Sequence, residues 1–508
     1  MQVTPQKTQA IPRPPIVVVV GHVDHGKSTL LDFIRKTNIV AREAGGITQS
    51  IGAYEVEHPS TSSGQVPQKI TFIDTPGHEA FTKMRERGAR VADIAILIVA
   101  ADDGVKPQTK EAIEILRREG TPFVVAINKI DKNNADPERT KQSLLKEQVL
   151  LEKYGGDVSW VEISAKEGTG VNELLDHVLL MWEMDKPTFD PAAEAKGFVL
   201  ESERDSRKGI MASVIITNGT LKSGQFIATK SACGKIKILE TFLGERAKEL
   251  VPASPAVVFG FDELPQVGEE FRAGELELST DVLPKPEERP QQAVTQTKEA
   301  NENTIKLILK ADVSGSVEAL EQVITNAPLE GKTIKILSRE VGDITDGDVK
   351  NAETFDAYII GFNVKPTKSA DTYARGKHID IILSNIIYRL VEELQEKAKH
   401  IGEPVALGKL QVLATFSQKN KKQVIGGKVT EGYLTLNERF KIVRGVIPAQ
   451  AGLPAQTGEE VGRGKITNLQ KGKNDVKKVE AETECGLMVE SETEIQKGDI
   501  LVVEQAHS

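Results

Sequence analysis

The feature that most constrains the fold is a glycine-rich loop placed directly after a run of apolar residues. Gly21–Ser28 reads Gly-His-Val-Asp-His-Gly-Lys-Ser and follows Ile16–Val20, which is uniformly apolar. This spacing is typical of a strand that ends in a phosphate-binding loop and continues into a helix. Lys27 reaches the β and γ oxygens of a triphosphate, and Ser28 offers its hydroxyl to Mg²⁺. The motif alone leaves kinase, ATPase and GTPase open. The other predicted nucleotide contacts in this loop are Asp24, His25, Gly26 and Thr29.

Further strand ends identify the base as guanine. After strand Ile70–Ile73, Asp74 can bind Mg²⁺ through water and the Gly77 N–H can meet a γ-phosphate. After strand Phe123–Ile127, the Asp131 carboxylate can accept from both N1 and N2 of guanine, an arrangement that adenine cannot match. Motifs in this order at strand ends predict a guanine-nucleotide site and exclude a metabolic kinase. The predicted base-binding residues are Asn128, Lys129, Asp131, Ser164, Ala165 and Lys166.

The length of the chain limits the number of its domains, and its cysteine content indicates its cellular compartment. The chain has 508 residues, enough for about three to four domains. Its two cysteines, Cys233 and Cys485, are far apart and lack metal-ligand spacing, which indicates a reducing compartment. The N-terminus has no signal-peptide core, and no apolar run reaches the length of a membrane span. We therefore expect a cytoplasmic protein.

The distribution of charge is more informative than its sum. The net charge of −9 argues against a nucleic-acid partner. Lys409–Arg444, however, contains eight basic and two acidic residues, and Arg463–Lys478 contains six and one. Such segments suit contact with an RNA backbone. From charge alone, solvated surface lysines are an equally good interpretation.

Hydrophobic patterning predicts a multidomain α/β plus β architecture. Alternating strands and helices indicate a doubly wound P-loop GTPase domain. Short β-branched runs broken by glycine indicate two β-barrels, since Ile425–Leu434 aligns with Ala212–Leu221. The predicted boundaries are a tail at 1–14, the GTPase domain at 15–190, a barrel at 191–280, a linker at 281–302, a small α/β domain at 303–375, a long helix at 376–402 and the C-terminal barrel at 403–508.

The predicted long helix rests on apolar spacing within Ile379–His400. Ile382, Ile386, Leu390 and Leu394 recur at helical intervals, with charged residues between them. A helix of this length would span roughly 30 Å. It either transmits position between domains or packs on its neighbour.

A second set of motifs extends over most of the chain. Glu43–Gly52 reads Glu-Ala-Gly-Gly-Ile-Thr-Gln-Ser-Ile-Gly, and the loop that begins at Asp74 continues to His78. The remaining segments of the set are Ala311–Leu320, Val341–Thr345, Gly361–Val364 and Glu484–Gly486. With the phosphate loop, they resemble translational GTPases and, within these, the bacterial translation initiation factor 2 family. The resemblance covers nearly the whole chain from residue 15.

The resemblance implies a GTP-gated factor with ribosome-stimulated hydrolysis of GTP to GDP. Such a factor brings formylmethionyl initiator tRNA to the small ribosomal subunit and promotes joining of the large one. The implied cofactors are GTP or GDP and Mg²⁺. The implied partners are both ribosomal subunits and initiator tRNA, with a monomeric chain and no membrane. Members often carry additional N-terminal domains; here about fourteen residues precede the first strand, so we expect a minimal or shortened member.

The same resemblance assigns two further roles in the GTPase domain. Thr48 would coordinate Mg²⁺ together with Ser28 and close over the γ-phosphate. His78 would orient the attacking water. The sequence offers no candidate arginine finger, so we expect slow intrinsic hydrolysis that accelerates when the ribosome positions His78.

The C-terminal barrel departs from the family pattern in the pocket for the formylmethionyl end. Lys428 stands where bacterial members usually have a cysteine, and Gly472 stands where an aromatic residue is expected. Binding of the tRNA acceptor end is predicted, whereas strict selection for the formyl group is left open. The predicted tRNA contacts are Lys428, Lys471, Lys473, Glu484, Cys485 and Gly486.

Two other functions are considered. One is that of the archaeal and eukaryotic counterpart, which promotes subunit joining with little formyl selectivity. The other is an aminoacyl-tRNA carrier of the elongation factor Tu type, which needs a second barrel directly after the first. Here an α/β domain and a helix intervene, which argues against the carrier. The C-terminal barrel has no helical extension after Val503, which favours the bacterial family over its archaeal and eukaryotic counterpart.

Overall fold

The computed structural model of the chain divides into two units, Met1–Ala398 and Lys399–Ser508. The predicted site residues Thr48, His78 and Lys473 lie outside the described residues, as does the linker predicted at 281–302. The described residues are 10–35, 52–59, 68–77, 79–205, 208–274, 304–329, 332–400, 406–419, 421–445, 458–472 and 474–504.

The first part of unit 1 is a doubly wound α/β domain. Its elements are β1 (Ile11–Pro12), β2 (Ile16–Gly21), α1 (Lys27–Arg35), β3 (Gly52–His58), β4 (Gln68–Asp74), α2 (Thr82–Val91), β5 (Ile94–Ala100), α3 (Pro107–Glu119), β6 (Phe123–Asn128), α4 (Pro137–Lys146), β7 (Trp160–Glu162), α5 (Val171–Asp185) and β8 (Thr188–Phe189). The sheet order is β3-β4-β2-β5-β6-β7, with only β3 antiparallel among these described strands.

Strand β2 is uniformly apolar because both of its faces are covered. Val17 and Val19 belong to the core cluster formed with α1 and α5, whereas Val18 lies beside Gly88 of α2. The carboxyl ends of the parallel strands lie at one edge of the sheet. The predicted nucleotide motifs follow β2, β4, β6 and β7, so they meet at that edge.

A closed six-stranded barrel follows the doubly wound α/β domain. Its sheet order is β10-β15-β13-β12-β16-β9, and the short strands β11 and β14 form a separate pair. The inward residues of alternate positions form one apolar cluster around the fully buried Phe271. The elements are β9 (Ala195–Asp205), β10 (Gly209–Asn218), β11 (Leu221–Lys222), β12 (Phe226–Ala228), β13 (Cys233–Thr241), β14 (Glu249–Leu250), β15 (Pro255–Phe261) and β16 (Glu270–Gly274).

The remainder of unit 1 is a small domain with a fully parallel four-stranded sheet of order β18-β17-β19-β20. Its helices connect successive strands, as the crossovers of a parallel sheet require. The elements are β17 (Thr304–Ala311), α6 (Ser314–Thr325), β18 (Thr333–Val341), α7 (Asp346–Phe355), β19 (Tyr358–Phe362), α8 (Lys368–Lys377), β20 (Ile381–Ser384) and α9 (Ile387–His400).

The prediction of one long helix at 376–402 was wrong in its first half. Residues 376 and 377 end α8, and Ile381–Ser384 forms β20, which pairs in parallel with β19. Helix α9 begins only at Ile387 and has 14 residues. Apolar residues at helical spacing do not exclude a strand. The backbone of residues 381–384 forms hydrogen bonds with β19, and the spacing of apolar side chains gives no information about such pairing. The small α/β domain therefore extends beyond the predicted boundary at residue 375.

Unit 2 is a second barrel. Strands β21, β28, β23, β24, β27 and β22 pair in that order, and β22 pairs again with β21, so the six strands close on themselves. In both barrels, the aligned segments noted in the sequence lie on the second strand of the first hairpin, β10 and β22. The elements are β21 (Ala406–Lys419), β22 (Lys422–Thr435), β23 (Arg439–Arg444), β24 (Glu459–Lys471), β25 (Asn474–Asp475), β26 (Lys478–Glu480), β27 (Glu484–Ser491) and β28 (Ile500–Glu504).

The described residues contain the four predicted structural domains: a doubly wound α/β domain, a barrel, a small α/β domain and a C-terminal barrel. Within the described part of the chain, none of the helices is both long and apolar enough to cross a membrane.

Candidate functional site

The phosphate-binding loop lies between β2 and α1, where the backbone requires glycine. Gly26 has a φ of +95°, and a Cβ at this position would collide with the Asn128 side chain. The Gly26 carbonyl accepts from the Leu30 N–H at 2.9 Å, so the loop passes directly into α1. The first N–H groups of α1 are therefore available to an anion in the loop. The predicted loop residues that retain solvent exposure are Asp24, Gly26, Ser28 and Thr29.

The Lys27 side chain joins the phosphate loop to the loop after β4. Its ammonium donates to the carbonyls of Gly21 and His22 at 3.0 and 2.8 Å. A Cβ on Gly77 would clash with the same ammonium, so the two loops are in direct contact. Burial lowers the pKa of Lys27 to about 8, and the Asp74 carboxylate opposes this shift. The structure thus brings the predicted phosphate-binding residues of the two loops together.

Asn128, at the end of β6, connects the phosphate loop to the base-recognition loop. Its Nδ2 donates to the His25 carbonyl at 2.8 Å, and its Oδ1 accepts from the Ala165 N–H at 2.9 Å. The residue is only 2% exposed, so both bonds are shielded from water. One amide side chain therefore fixes the phosphate end of the predicted site relative to the base end.

The remaining base-recognition residues surround the Asn128 bridge. Asp131 is exposed to solvent, and its Oδ1 accepts from the buried Ser164 hydroxyl at 2.7 Å. This bond orients the carboxylate and leaves lone pairs for a base. Lys129 has a φ of +66° and lies 3.9 Å from Asp102, while Lys166 is exposed. The predicted guanine-binding group is therefore assembled at one edge of the sheet.

The two histidines of the phosphate loop are packed rather than charged. The His25 side chain is 1% exposed, and its Nδ1 accepts from the Ala100 N–H at 3.3 Å. Burial, together with the charge of His22, lowers the pKa of His25 to about 4. Burial also lowers the pKa of His22. His25 is therefore neutral at pH 7.

Two side chains that the sequence analysis missed hold the loops of the site. Arg85 is fully buried and donates to the Pro76 carbonyl at 3.0 Å and to Glu111 at 2.7 Å. Gln108 accepts from the Val23 N–H at 3.0 Å. No local signal separates Arg85 from its neighbours in a helix rich in lysine and arginine. Gln108 could have been suspected from its position, because the loop before it follows the carboxyl end of β5, at the sheet edge where ligands bind.

The predicted tRNA contacts of the C-terminal barrel lie on neighbouring strands. Lys428 on β22 is paired in register with Glu484 on β27, and Gly486 follows two positions along β27. Lys471 ends the adjoining strand β24. The Lys428 ammonium forms an ion pair with Glu482. No described atom lies within 4 Å of a Cβ built on Gly486, so this part of the face is open.

Cys485 does not share that face. Its side chain is 6% exposed and belongs to the core cluster of the barrel. Successive residues of a strand point to opposite sides, so Cys485 points inward where its neighbours Glu484 and Gly486 point outward. Burial raises the pKa of the thiol to about 11. This corrects the prediction that the Cys485 side chain contacts tRNA on the same surface as the others.

Comparison with known proteins assigns these features to a class. Residues 13–183 match the family model described as the elongation factor Tu GTP binding domain. Residues 194–274 match elongation factor G domain 2. Together with the guanine-type loops at the sheet edge, these matches define a translational GTPase.

The particular family follows from a further family model and from relatives that match nearly the whole chain. Residues 283–395 match the model of translation-initiation factor 2. The translation initiation factor IF-2 of Persephonella marina is 42% identical over 503 residues, covering 96% of this chain and 55% of that relative. The IF-2 of Rubrobacter xylanophilus is 38% identical, and the alignment covers 97% of this chain and 71% of that relative. The IF-2 of Bacillus subtilis is also 38% identical, and the alignment covers 96% of this chain and 68% of that relative. The chain therefore belongs to the translation initiation factor IF-2 family, and it spans about half to 71% of these relatives' length.

Among solved structures, one described as GDP-bound aIF5B from Aeropyrum pernix aligns with a TM-score of 0.43 and 26% identity. The alignment covers 97% of this chain and 92% of that chain.

Proposed function

We propose that the chain is a GTP-hydrolysing initiation factor whose nucleotide cycle gates its action on the ribosome. The observation that carries the proposal is the Asn128 bridge, which links the phosphate loop to the Ala165 loop at a fixed spacing. A guanine nucleotide is the ligand whose two ends suit these loops. Asp131 would accept from guanine N1 and N2, and the Lys27 ammonium would reach the β and γ oxygens.

Mg²⁺ fits the donor set at the phosphate end. Ser28 offers a hydroxyl in the first turn of α1, and Asp74 offers a carboxylate at the end of the adjacent strand β4. Hydroxyl and carboxylate oxygens are the hard ligands that Mg²⁺ prefers. We propose Thr48 as a further ligand from the family motif. When bound, the ion neutralises charge that develops on the β and γ oxygens.

Hydrolysis is proposed to depend on His78, which directly follows Gly77. The buried Arg85 anchors the segment before Gly77 through the Pro76 carbonyl. His78 would orient the attacking water when the ribosome positions the His78 side chain. We further propose that the factor acts as a monomer in the cytoplasm, with both ribosomal subunits as partners; its two cysteines are free thiols.

The C-terminal barrel is proposed to bind the acceptor end of initiator tRNA. The support is the clustering of Lys428, Lys471 and the open Gly486 on adjoining strands. Lys473 and the Glu484 carboxylate belong to the same proposed contact surface. Lysines there would neutralise phosphates of the acceptor stem.

One observation favours a second candidate, a subunit-joining GTPase with little formyl selectivity. The Lys428 ammonium is engaged by Glu482, and the Cys485 thiol lies in the core rather than on the tRNA-facing surface. The first feature occupies the Lys428 ammonium, and the second keeps the Cys485 thiol out of the pocket expected to read the formylmethionyl end.

Binding of the full chain to formylated and unformylated methionyl initiator tRNA, at one fixed salt concentration, separates the two candidates. The proposal predicts tighter binding of the formylated form. Lys428→Ala should weaken tRNA binding and reduce the salt dependence by about one phosphate contact. Lys421→Ala removes an exposed lysine at the other end of this hairpin and serves as the matched control. Equal binding of both tRNAs would instead assign the chain to subunit joining.

A further inference from the structure

Three parts of unit 1 meet at one buried carboxyl group, that of Glu201. The residue lies on β9 of the first barrel and is 6% exposed. A Cβ built on Gly315, in the first turn of α6, would lie 2.8 Å from Glu201 Oε2 and 2.5 Å from Met84 Cε. Met84 belongs to α2 of the GTPase domain. The carboxyl group therefore lies where the barrel, the small α/β domain and the GTPase domain touch.

Glu201 supplies the N-terminal cap of a helix in another domain. The N-cap residue of α6 is Val313, whose apolar side chain makes no capping hydrogen bond in the described structure. Glu201 Oε1 accepts from the Gly315 N–H at 2.9 Å and from the Ser202 N–H at 3.1 Å. A β-bridge between Glu203 and Val313 aligns β9 with the start of the helix. One of the exposed N–H groups at the start of α6 is thus satisfied by the barrel.

The second carboxyl oxygen makes the cap sensitive to charge. Glu201 Oε2 is buried and has no hydrogen-bond partner among the described residues. Arg87 of α2 faces the site and is ion-paired at 2.7 Å with Glu318 of α6, while Asp312 precedes the helix. Burial raises the pKa of Glu201 to about 7; the two N–H bonds and Arg87 oppose the shift, and Asp312 adds to it.

The neutral and the ionised carboxyl group of Glu201 differ in the free energy needed to bury them at this position. A neutral carboxyl group can carry its proton on Oε2 and still accept both N–H groups on Oε1. The Oε2 hydroxyl is then an unpaired buried donor, which costs less than an unpaired buried charge. An ionised group places a charge on a buried oxygen without a partner, which is unfavourable in an apolar environment. Docking of the small α/β domain therefore favours the protonated form.

We propose that Glu201 is a proton-sensitive latch, which caps α6 and holds the small α/β domain on the first barrel when neutral and loosens that contact when ionised. Because the pKa in the docked state lies above the usual value of 4.5, the stabilisation is full below that value and is lost as the pH rises through about 7. Met84 and Arg87 of this contact lie on α2, the first α-helix after Gly77.

Hydrogen exchange of the Gly315 and Ser316 amides in the full chain tests the latch directly. Exchange is followed from about pH 5 to about pH 8.5 and normalised to the intrinsic rate at each pH. In the wild-type chain, the opening constant of these amides should rise by up to about tenfold per pH unit between about pH 4.5 and about pH 7 and level off above about pH 7. Glu201→Gln cannot ionise, so its normalised profile should be flat. Glu270→Gln, an exposed carboxyl group of the same barrel, should retain the wild-type slope.

Reference amides in β5 and β6 report whether each variant is folded. If Glu201→Gln loses protection there as well, the wild-type profile alone decides the question. A wild-type profile that is flat across this range overturns the proposal. The same slope in folded Glu201→Gln as in the wild type also overturns it, because the titrating group would then be another residue.

Discussion

At the scale of single residues, the proposed nucleotide site depends on side chains that satisfy two loops at once. Asn128 bonds one backbone group on each side, and its replacement by an apolar residue would leave both unpaired. Each such loss costs about 1–3 kcal/mol when the group stays buried. Arg85 anchors the loop after β4 in the same manner. Asp131, in contrast, is exposed and is held by a single hydroxyl, so it is free to serve a ligand.

The exposed position of Asp131 leads to a prediction about base selection. Asp131→Asn replaces an acceptor that matches two guanine donors with an amide that matches only one. We expect the affinity for GTP to fall by roughly 100-fold or more. The amide N–H can instead donate to the additional carbonyl of xanthine, so the affinity for xanthosine triphosphate should rise.

Equilibrium binding of both nucleotides to the full chain measures the effect. Asp157→Asn, an exposed aspartate in the same domain, should bind GTP as the wild type does. GTP affinity within a few-fold of wild type in Asp131→Asn would show that this carboxylate does not read the base.

At the scale of elements, the sequence predicted what is local and missed what is paired over long distance. The phosphate loop was predictable because Gly26 and Lys27 follow an apolar strand at a fixed spacing. Strand β20 was not, because Ile382 and Ile386 also fit a helix and the pairing with β19 leaves no local trace. The cap of α6 was equally invisible, since Glu201 lies 114 residues before Gly315.

The assignment of β20 can be tested through two adjacent residues. Ile382 is 2% exposed, whereas Leu383 points outward and is 40% exposed. Ile382→Ala should lower the free energy of unfolding of the small α/β domain by about 2–4 kcal/mol. Leu383→Ala, the matched control on the opposite face, should cost less than about 1 kcal/mol. Urea denaturation of the full chain, followed in the transition that includes this domain, gives both values; similar losses would speak against a strand with one buried face.

At the scale of the whole molecule, the proposed gating requires that the GTPase domain contact the parts that respond. Within unit 1, the Thr71 hydroxyl of β4 donates to the Ala253 carbonyl of the barrel at 2.7 Å, and the Ser254 hydroxyl donates to Glu55 of β3 at 2.7 Å. Arg87 of α2 reaches Glu318 of the small α/β domain. The order of the domains was predictable from the hydrophobic pattern and the motifs. These contacts were not predictable, because each one joins polar or charged residues that lie far apart in the sequence.

The most direct test of the account is GTP hydrolysis by the full chain, measured with and without ribosomes. We predict slow hydrolysis by the chain alone and roughly 100-fold or greater stimulation by ribosomes. His78→Ala should abolish most of the stimulation while GTP binding is retained, and His177→Ala, on α5 of the same domain, should behave as the wild type. Hydrolysis that ribosomes leave unchanged, or stimulation of His78→Ala within a few-fold of wild type, would contradict the proposed ribosome-gated mechanism.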